Sequence, residues 1–137
     1  MSAPAASLDE LSVEECWAAL RTAAVGRLAV RAAEGVDVFP VNFTVHERAI
    51  YLRSAPGSKL VAITDSPAVA FEADGSRGRD YYWSVVARGI AHRLAHDSEI
   101  EASGVLDLAT STPSVKWNFI RITPTVISGR RFTSKSA

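Results

Sequence analysis

Apolar and polar residues alternate along much of the chain, and this period of two predicts β-strands. The clearest example is V-D-V-F-P-V-N-F-T-V at residues 36–45, followed by a predicted turn at H-E-R. The last predicted strand is either one segment or a pair broken near Pro124. The full set of predicted strands is 26–30, 36–45, 49–53, 68–74, 81–94 and 116–132.

Helical periodicity is confined to three short segments. Ser12 with Glu15 forms a capping-box pattern, which predicts a helix running to about Arg21. Its predicted apolar face comprises Val13, Cys16, Trp17 and Leu20. A second helix is predicted at 58–64 and a weaker one at 97–108, where Ser103 and Gly104 interrupt the pattern.

The strands dominate, and little strand–helix–strand alternation is present. This arrangement predicts a mainly β fold, a closed or partly closed antiparallel barrel with peripheral helices. Pro40 inside the second strand predicts an edge position or a bulge, because proline cannot donate to a strand ladder. Gly89 predicts a bend or bulge in the long strand, while 75–80 and 110–114 are predicted loops.

A chain of 137 residues suits one domain. We expect a flexible leader at 1–10, a single domain at 11–133 and a tail at 134–137. Lys plus Arg and Asp plus Glu both total 15, which argues against nucleic acid as the main partner. The absence of a long apolar run or secretion signal predicts no membrane association and a cytoplasmic location. The single cysteine, Cys16, excludes an internal disulfide and a cysteine-rich zinc site.

The run I-Y-L-R-S-A-P-G-S-K-L, residues 50–60, carries the strongest candidate chemistry. It predicts a strand ending at Arg53 and Ser54, a tight turn, and a helix beginning at Ser58 and Lys59. A helix start presents unpaired N–H groups and the positive end of the helix dipole. Together with two cations and two hydroxyls, it could hold a phosphate monoester. The same pattern also fits an ordinary turn with solvated polar residues.

An ordered set of segments resembles the pyridoxamine 5'-phosphate oxidase-like family, and within it the short actinobacterial-type members. The segments are E-C-W-A-A-L, V-G-R-L-A-V, F-P-V-N-F, I-Y-L-R-S-A-P-G-S-K-L, A-V-A-F-E-A-D, W-S-V-V-A-R-G-I-A and W-N-F-I-R-I-T-P-T-V-I-S-G-R-R-F. The resemblance covers roughly residues 11–132. It implies an FMN-binding split β-barrel that forms a homodimer, with two cofactor sites in grooves between the subunits.

The resemblance also implies roles for particular residues. The phosphate of the cofactor would be held by Arg53, Ser54, Ser58 and Lys59. The isoalloxazine ring would lie along the strand of Pro40, Val41 and Asn42, with Arg27 at the phosphate or the ring edge. Trp83 and Ser84 would reach the cofactor from the facing strand, and Trp117 and Arg130 lie in a C-terminal segment that often closes the site.

The chain is shorter than true pyridoxamine phosphate oxidases and lacks their C-terminal basic signature, so it is not expected to oxidise that vitamin. The resemblance implies an FMN-binding oxidoreductase that transfers hydride to a small organic acceptor. No catalytic triad or metal-ligand spacing is apparent, which fits a cofactor that carries the chemistry itself. One alternative is the deazaflavin F420, with Arg77, Arg79 and Arg88 along its acidic tail. The other is a non-enzymatic haem-binding protein using His92 or His96.

Overall fold

The computed structural model describes residues 7–54, 57–94, 97–107 and 118–133. Within these ranges the chain forms seven strands, three α-helices and one short 3-10 helix. The strands are β1 (Ser7–Leu11), β2 (Val25–Ala32), β3 (Gly35–His46), β4 (Ala49–Ser54), β5 (Ala68–Arg77), β6 (Tyr81–Arg93) and β7 (Asn118–Thr133). The helices are α1 (Val13–Leu20), α2 (Ser58–Asp65), α3 (Asp97–Ser103) and the 3-10 helix Val105–Asp107.

The strands form a partly closed antiparallel barrel, as the sequence predicts. Their order is β1-β7-β4-β3-β2-β5-β6, and a further pairing of β6 with β7 closes the ring. β7 makes this closure possible because its 16 residues pair with β6 along one edge and with β4 and β1 along the other. The expected flexible leader is therefore wrong for residues 7–10, which belong to β1; residues 1–6 and the predicted tail lie outside the described part.

The capping box predicted for α1 is confirmed. The Ser12 hydroxyl accepts from the Glu15 N–H at 3.1 Å, and the Glu15 carboxylate accepts from the Ser12 N–H at 2.9 Å. The helix packs on β6 and β7 and buries Cys16, Trp17 and Leu20. Val13 is the exception to the predicted apolar face, since it is 45% exposed at the first turn.

The barrel interior is filled by the inward-facing residues of the strands. Burying such apolar side chains supplies the main driving force for folding. Phe71 on β5 is fully buried and packs edge-to-face on Phe43 of β3, with ring centroids 4.8 Å apart. A smaller cluster lies on the outer side of β4, where α3 and the 3-10 helix cover Ala49 and Tyr51.

Two predicted interruptions are continuous strand in the structure. Residues 75–77 extend β5 and pair with the start of β6, so only 78–80 form the turn. β7 runs through Pro124 without a break, and the irregularity is a register shift opposite Gly89. The predicted bulge at Gly89 is therefore confirmed. The third predicted helix is divided at Gly104, whose φ is +80°, and the predicted loop 110–114 lies outside the described residues.

Candidate functional site

The ladder between β3 and β4 stops partway along β3. It joins His46 to Ala49 at the turn and ends at the pair Phe43–Leu52. Within the described part of the chain, the strand ladder of residues 35–41 is with β2 alone, which agrees with an edge position, one of the two placements predicted for Pro40. We call the point beyond the Phe43–Leu52 pair the split. β3 continues on one side of it, and the end of β4 leads into α2 on the other.

Main-chain groups of β3 face the split at alternate residues. The Phe43 N–H donates to the Ala24 carbonyl on the β2 side at 3.1 Å. In an antiparallel strand, successive residues direct their main-chain groups to opposite edges, so Asn42 and Pro40 direct theirs toward the split. Proline has no N–H, so its position there removes no ladder hydrogen bond. This edge can accept a flat ligand lying along the strand.

Arg27 lies directly opposite Pro40 on β2, and it is held by two carboxylates. One of its terminal nitrogens is 3.1 Å from Glu72 Oε1 and 2.9 Å from Asp74 Oδ2. Burial, followed by the hydrogen bond with Asp74, raises the pKa of Glu72, whereas Arg27 acts in the opposite direction. The charge of Arg27 is thus countered locally, and in this arrangement it contributes little positive potential toward a phosphate.

The other predicted ring neighbours divide between the two faces of the barrel wall. Val41 and Trp83 point inward and are part of the hydrophobic core. Ser84 lies on the outer face, where it is paired with Asp74 on β5 and Arg130 on β7. A ligand on the outer face would therefore meet Ser84 and Arg130 rather than Trp83. Trp117 lies outside the described residues.

Of the four residues predicted to hold a phosphate, the two whose side chains are described, Arg53 and Ser54, lie on opposite faces of β4. Ser54 points inward and is 1% exposed, whereas Arg53 lies on the outer face of β4. The Arg53 Nε donates to the Val105 carbonyl at 3.1 Å, a terminal nitrogen donates to the Leu106 carbonyl, and the guanidinium lies 5.9 Å from the Phe119 ring centroid. The side chains of Ser58 and Lys59 lie outside the described part. The structure therefore does not show the four side chains converging.

The first turn of α2 fits an anion even so. Its N-cap is Gly57, which has no side chain, and no side-chain cap is found among the described residues. The N–H groups of a first turn have no partner within the helix, and the helix dipole places partial positive charge there. Glycine at the N-cap leaves the approach open, since a Cβ at Gly57 would meet nothing within 4 Å. The helix start is thus suited to the phosphate of a cofactor.

A polar cluster that the sequence analysis did not identify lies beneath α3. The Tyr51 hydroxyl is 3.4 Å from Glu99 Oε1, and Glu99 also forms an ion pair with Arg121. Burial and the nearby Glu99 carboxylate raise the pKa of Tyr51. The cluster borders a cavity of about 580 Å³ that His46 and Thr123 also line. Its signal in the sequence is weak, because Tyr51, Glu99 and Arg121 come from three distant segments.

Candidates for the alternative cofactors are dispersed in the structure. Arg77 lies over the Tyr81 ring at 5.6 Å, and Arg88 is exposed on the outer face of β6. His92 is exposed near the end of β6, and His96 is outside the described ranges. Among the residues that the structure describes, no group of three or more His, Cys, Asp or Glu side chains could hold a metal ion, and no helix is long and apolar enough to cross a membrane.

Comparison with known proteins gives a consistent result. The family model described as pyridoxamine 5'-phosphate oxidase matches residues 12–131. A solved structure of a putative pyridoxamine 5'-phosphate oxidase from Corynebacterium glutamicum is 36% identical, with a TM-score of 0.81 over 100% of this chain and 99% of that one. An FAD-binding protein from Mycobacterium smegmatis is 33% identical, with a TM-score of 0.77 over 93% and 100% of the two chains. An FAD-binding protein from Mesorhizobium loti is 26% identical, with a TM-score of 0.86 over 95% and 100%.

Proposed function

Because the chain belongs to the pyridoxamine 5'-phosphate oxidase family, we propose that it is an oxidoreductase whose flavin cofactor is FMN. It would transfer hydride to a small organic acceptor. The observation that carries the proposal is the split. Beyond the Phe43–Leu52 pair, the described part of β3 keeps a one-sided strand edge, and α2, whose N-cap is Gly57, begins four residues after β4 ends at Ser54. A flavin mononucleotide has a flat ring and a terminal phosphate that match these two features.

The protein's own groups would bind and orient the cofactor. The phosphate would lie at the first turn of α2, and Lys59 in that turn would add a positive charge. The ring would lie along Pro40 and Asn42 on β3, partly against main-chain atoms. When bound, the flavin supplies the hydride chemistry. On the neighbouring outer face, Glu72 and Asp74 counter the positive charge of Arg27, so Arg27 would add little positive potential beside the ring.

A second copy of the chain would complete the site. Valine side chains are exposed on the strands beside the split, and exposed apolar patches on a sheet commonly mark interfaces. Val36 and Val38 are 70% and 62% exposed on β3, and Val25 is 47% exposed on β2. Burying this surface in a homodimer would cover the outer face that carries Ser84. Light scattering on the purified protein measures the oligomeric state, and a monomer at micromolar concentration would contradict this part of the proposal.

Binding of FMN and riboflavin, followed by quenching of flavin fluorescence, tests the phosphate assignment. Lys59→Met should weaken FMN on the order of tenfold, because a charge-assisted contact to the phosphate is lost. Riboflavin has no phosphate, so its affinity should change little. Arg21→Met, which removes one positive charge at the exposed end of α1, is the matched control. Equal losses for the two flavins in Lys59→Met would refute the phosphate assignment.

Parallel titration with FAD and F420 identifies the cofactor class. The proposal expects FMN to bind more tightly than either, because a single terminal phosphate suits one helix start. A preference for FAD would keep the flavin assignment and correct the nucleotide. A preference for F420 would replace the proposal with the deazaflavin alternative. Haemin that produces a Soret band, lost in His92→Ala, would favour the haem-binding alternative.

A further inference from the structure

Arg53 occupies a position from which it holds the α3 segment rather than the cofactor. We propose that Arg53 is a positioning residue that fixes the 3-10 helix after α3 on the outer face of β4, and that the phosphate is held without it. The claim that the phosphate is held without Arg53 rests on the proposed flavin function. The positioning role rests on the contacts of Arg53 alone.

Strand alternation determines the direction of the Arg53 side chain. Leu52 and Ser54 are fully buried on the inner side of β4, so Arg53 between them points outward together with Tyr51. α2 begins at Ser58, four residues after Ser54. A guanidinium directed to the outer face is therefore turned toward Phe119 of β7, its registered partner.

The guanidinium contacts match the geometry of a helix end. Arginine offers several N–H donors in a planar fork, and two of its nitrogens reach the carbonyls of the consecutive residues Val105 and Leu106. Val105 is fully buried, and its contacts with Ala49 and Tyr51 form the small outer cluster. Arg53 thus ties the polar backbone of the 3-10 helix to β4 at the point where the apolar side chain of Val105 is inserted.

A second attachment secures the other end of the same segment. Glu99 on α3 contacts Tyr51 on β4 and Arg121 on β7. Tyr51 and Arg121 are registered partners, as are Arg53 and Phe119 two residues along. The segment is therefore held at two successive positions on the β4–β7 ladder. Loss of the Arg53 contacts should release the 3-10 helix while the Glu99 attachment retains α3.

Hydrogen exchange and flavin titration together test the proposal. Arg53→Met should accelerate amide exchange in residues 97–107 on the order of tenfold, most strongly at 103–107, because two charge-assisted hydrogen bonds are lost. Exchange in the barrel strands should be unchanged. Arg53→Lys keeps the positive charge but offers a single donor nitrogen, so it should retain part of the protection from amide exchange. Arg21→Met serves as the charge-matched control.

In the titration, Arg53→Met should leave the ratio of FMN to riboflavin affinity at its wild-type value, whereas Lys59→Met lowers it. A ratio lowered by Arg53→Met as much as by Lys59→Met would overturn the proposal, as would unchanged exchange at 103–107. If the wild-type protein binds no flavin, the proposed function fails, and the exchange measurement alone then decides the role of Arg53. If Arg53→Met does not fold, the exchange and titration of Arg53→Lys decide it.

Discussion

Gly89 on β6 lies directly against the backbone of β7 at Pro124. A Cβ built on Gly89 would meet the Thr123 carbonyl oxygen and come within 2.7 Å of the Pro124 Cα. The β6–β7 register shifts at this point, with Arg88 opposite Val126 and Gly89 opposite Pro124. The proline has no N–H to offer the ladder, and the glycine permits the backbones to approach closely. The pair makes a bulge in the two strands that close the barrel.

Substitution of Gly89 by alanine should therefore destabilise the fold by about 2 kcal/mol, because the obstructing atoms are backbone and cannot move aside alone. Urea denaturation measures the change. Gly129→Ala is the matched comparison on the same pair of strands. Its nearest neighbours are side-chain atoms of Cys16 and Leu11, at 2.8 and 2.9 Å, and the backbone contact there, with the Ser84 carbonyl oxygen at 3.1 Å, is looser than the one at Gly89. A cost at Gly129 equal to that at Gly89 would contradict the role of the backbone contact.

Arg27→Met should destabilise the protein more at pH 7 than at pH 4. The folded-state pKa of Glu72 is raised, chiefly by burial, so ionising this carboxyl costs stability as pH rises through that pKa. Arg27 offsets this cost. Its replacement should therefore lower the free energy of unfolding by roughly 0.5 kcal/mol at neutral pH, since the groups are partly exposed. Urea denaturation at the two pH values measures it. Arg31→Met on the same strand is the control, and a pH-independent loss would contradict the pairing.

The capping box of α1 should give the protein an acid-sensitive contribution to stability. Hydrogen bonds from the Ser12 backbone N–H and hydroxyl, aided by Arg131, lower the pKa of Glu15 from its ordinary value. A lowered folded-state pKa means that the contribution is present above the unfolded value and is lost as pH falls through the folded value. Glu15→Gln should remove this pH dependence, since glutamine does not titrate but can still accept the Ser12 N–H.

Ser12→Ala measures the contribution of the Ser12 hydroxyl separately from that of the Glu15 carboxylate. It should cost about 1 kcal/mol through loss of the N-cap acceptor, and the acid sensitivity carried by the Glu15 contacts with the Ser12 backbone N–H and with Arg131 should remain. Thermal or urea denaturation between pH 3 and pH 7 checks both variants. A Glu15→Gln protein with the full wild-type pH dependence would show that other carboxyls control the acid response.

Cys16 should be chemically silent in the folded protein. It lies on the buried face of α1, and burial raises the pKa of its thiol, so both access and the reactive thiolate are limited. We expect Ellman's reagent to react with the native thiol at least about a hundredfold more slowly than with the urea-unfolded chain. Ala18→Cys, at an exposed position of the same helix, should add one fast equivalent. Rapid reaction of the wild-type protein would show that α1 opens readily.

Short-range patterns were sufficient for much of the secondary structure. The Ser12–Glu15 box predicted α1 because both partners lie within one helical turn, and the alternation at 36–45 predicted β3. Pro40 predicted an edge position through its missing N–H. β1 was not predicted, because S-L-D-E-L has no strong alternation, and it is a strand only because it pairs with the far end of β7.

The features of the candidate site also divide into those that local sequence predicts and those that depend on long-range contacts. The sequence by itself determined that a helix start preceded by glycine follows a strand ending at Arg53 and Ser54, because those features are local. Only the tertiary structure decided that β3 and β4 separate beyond Phe43–Leu52, that Arg27 meets Glu72 and Asp74, and that Arg53 turns to the Val105 and Leu106 carbonyls. These contacts join residues that are 45 or more positions apart in sequence, and their partners are selected by strand register, which no local pattern encodes.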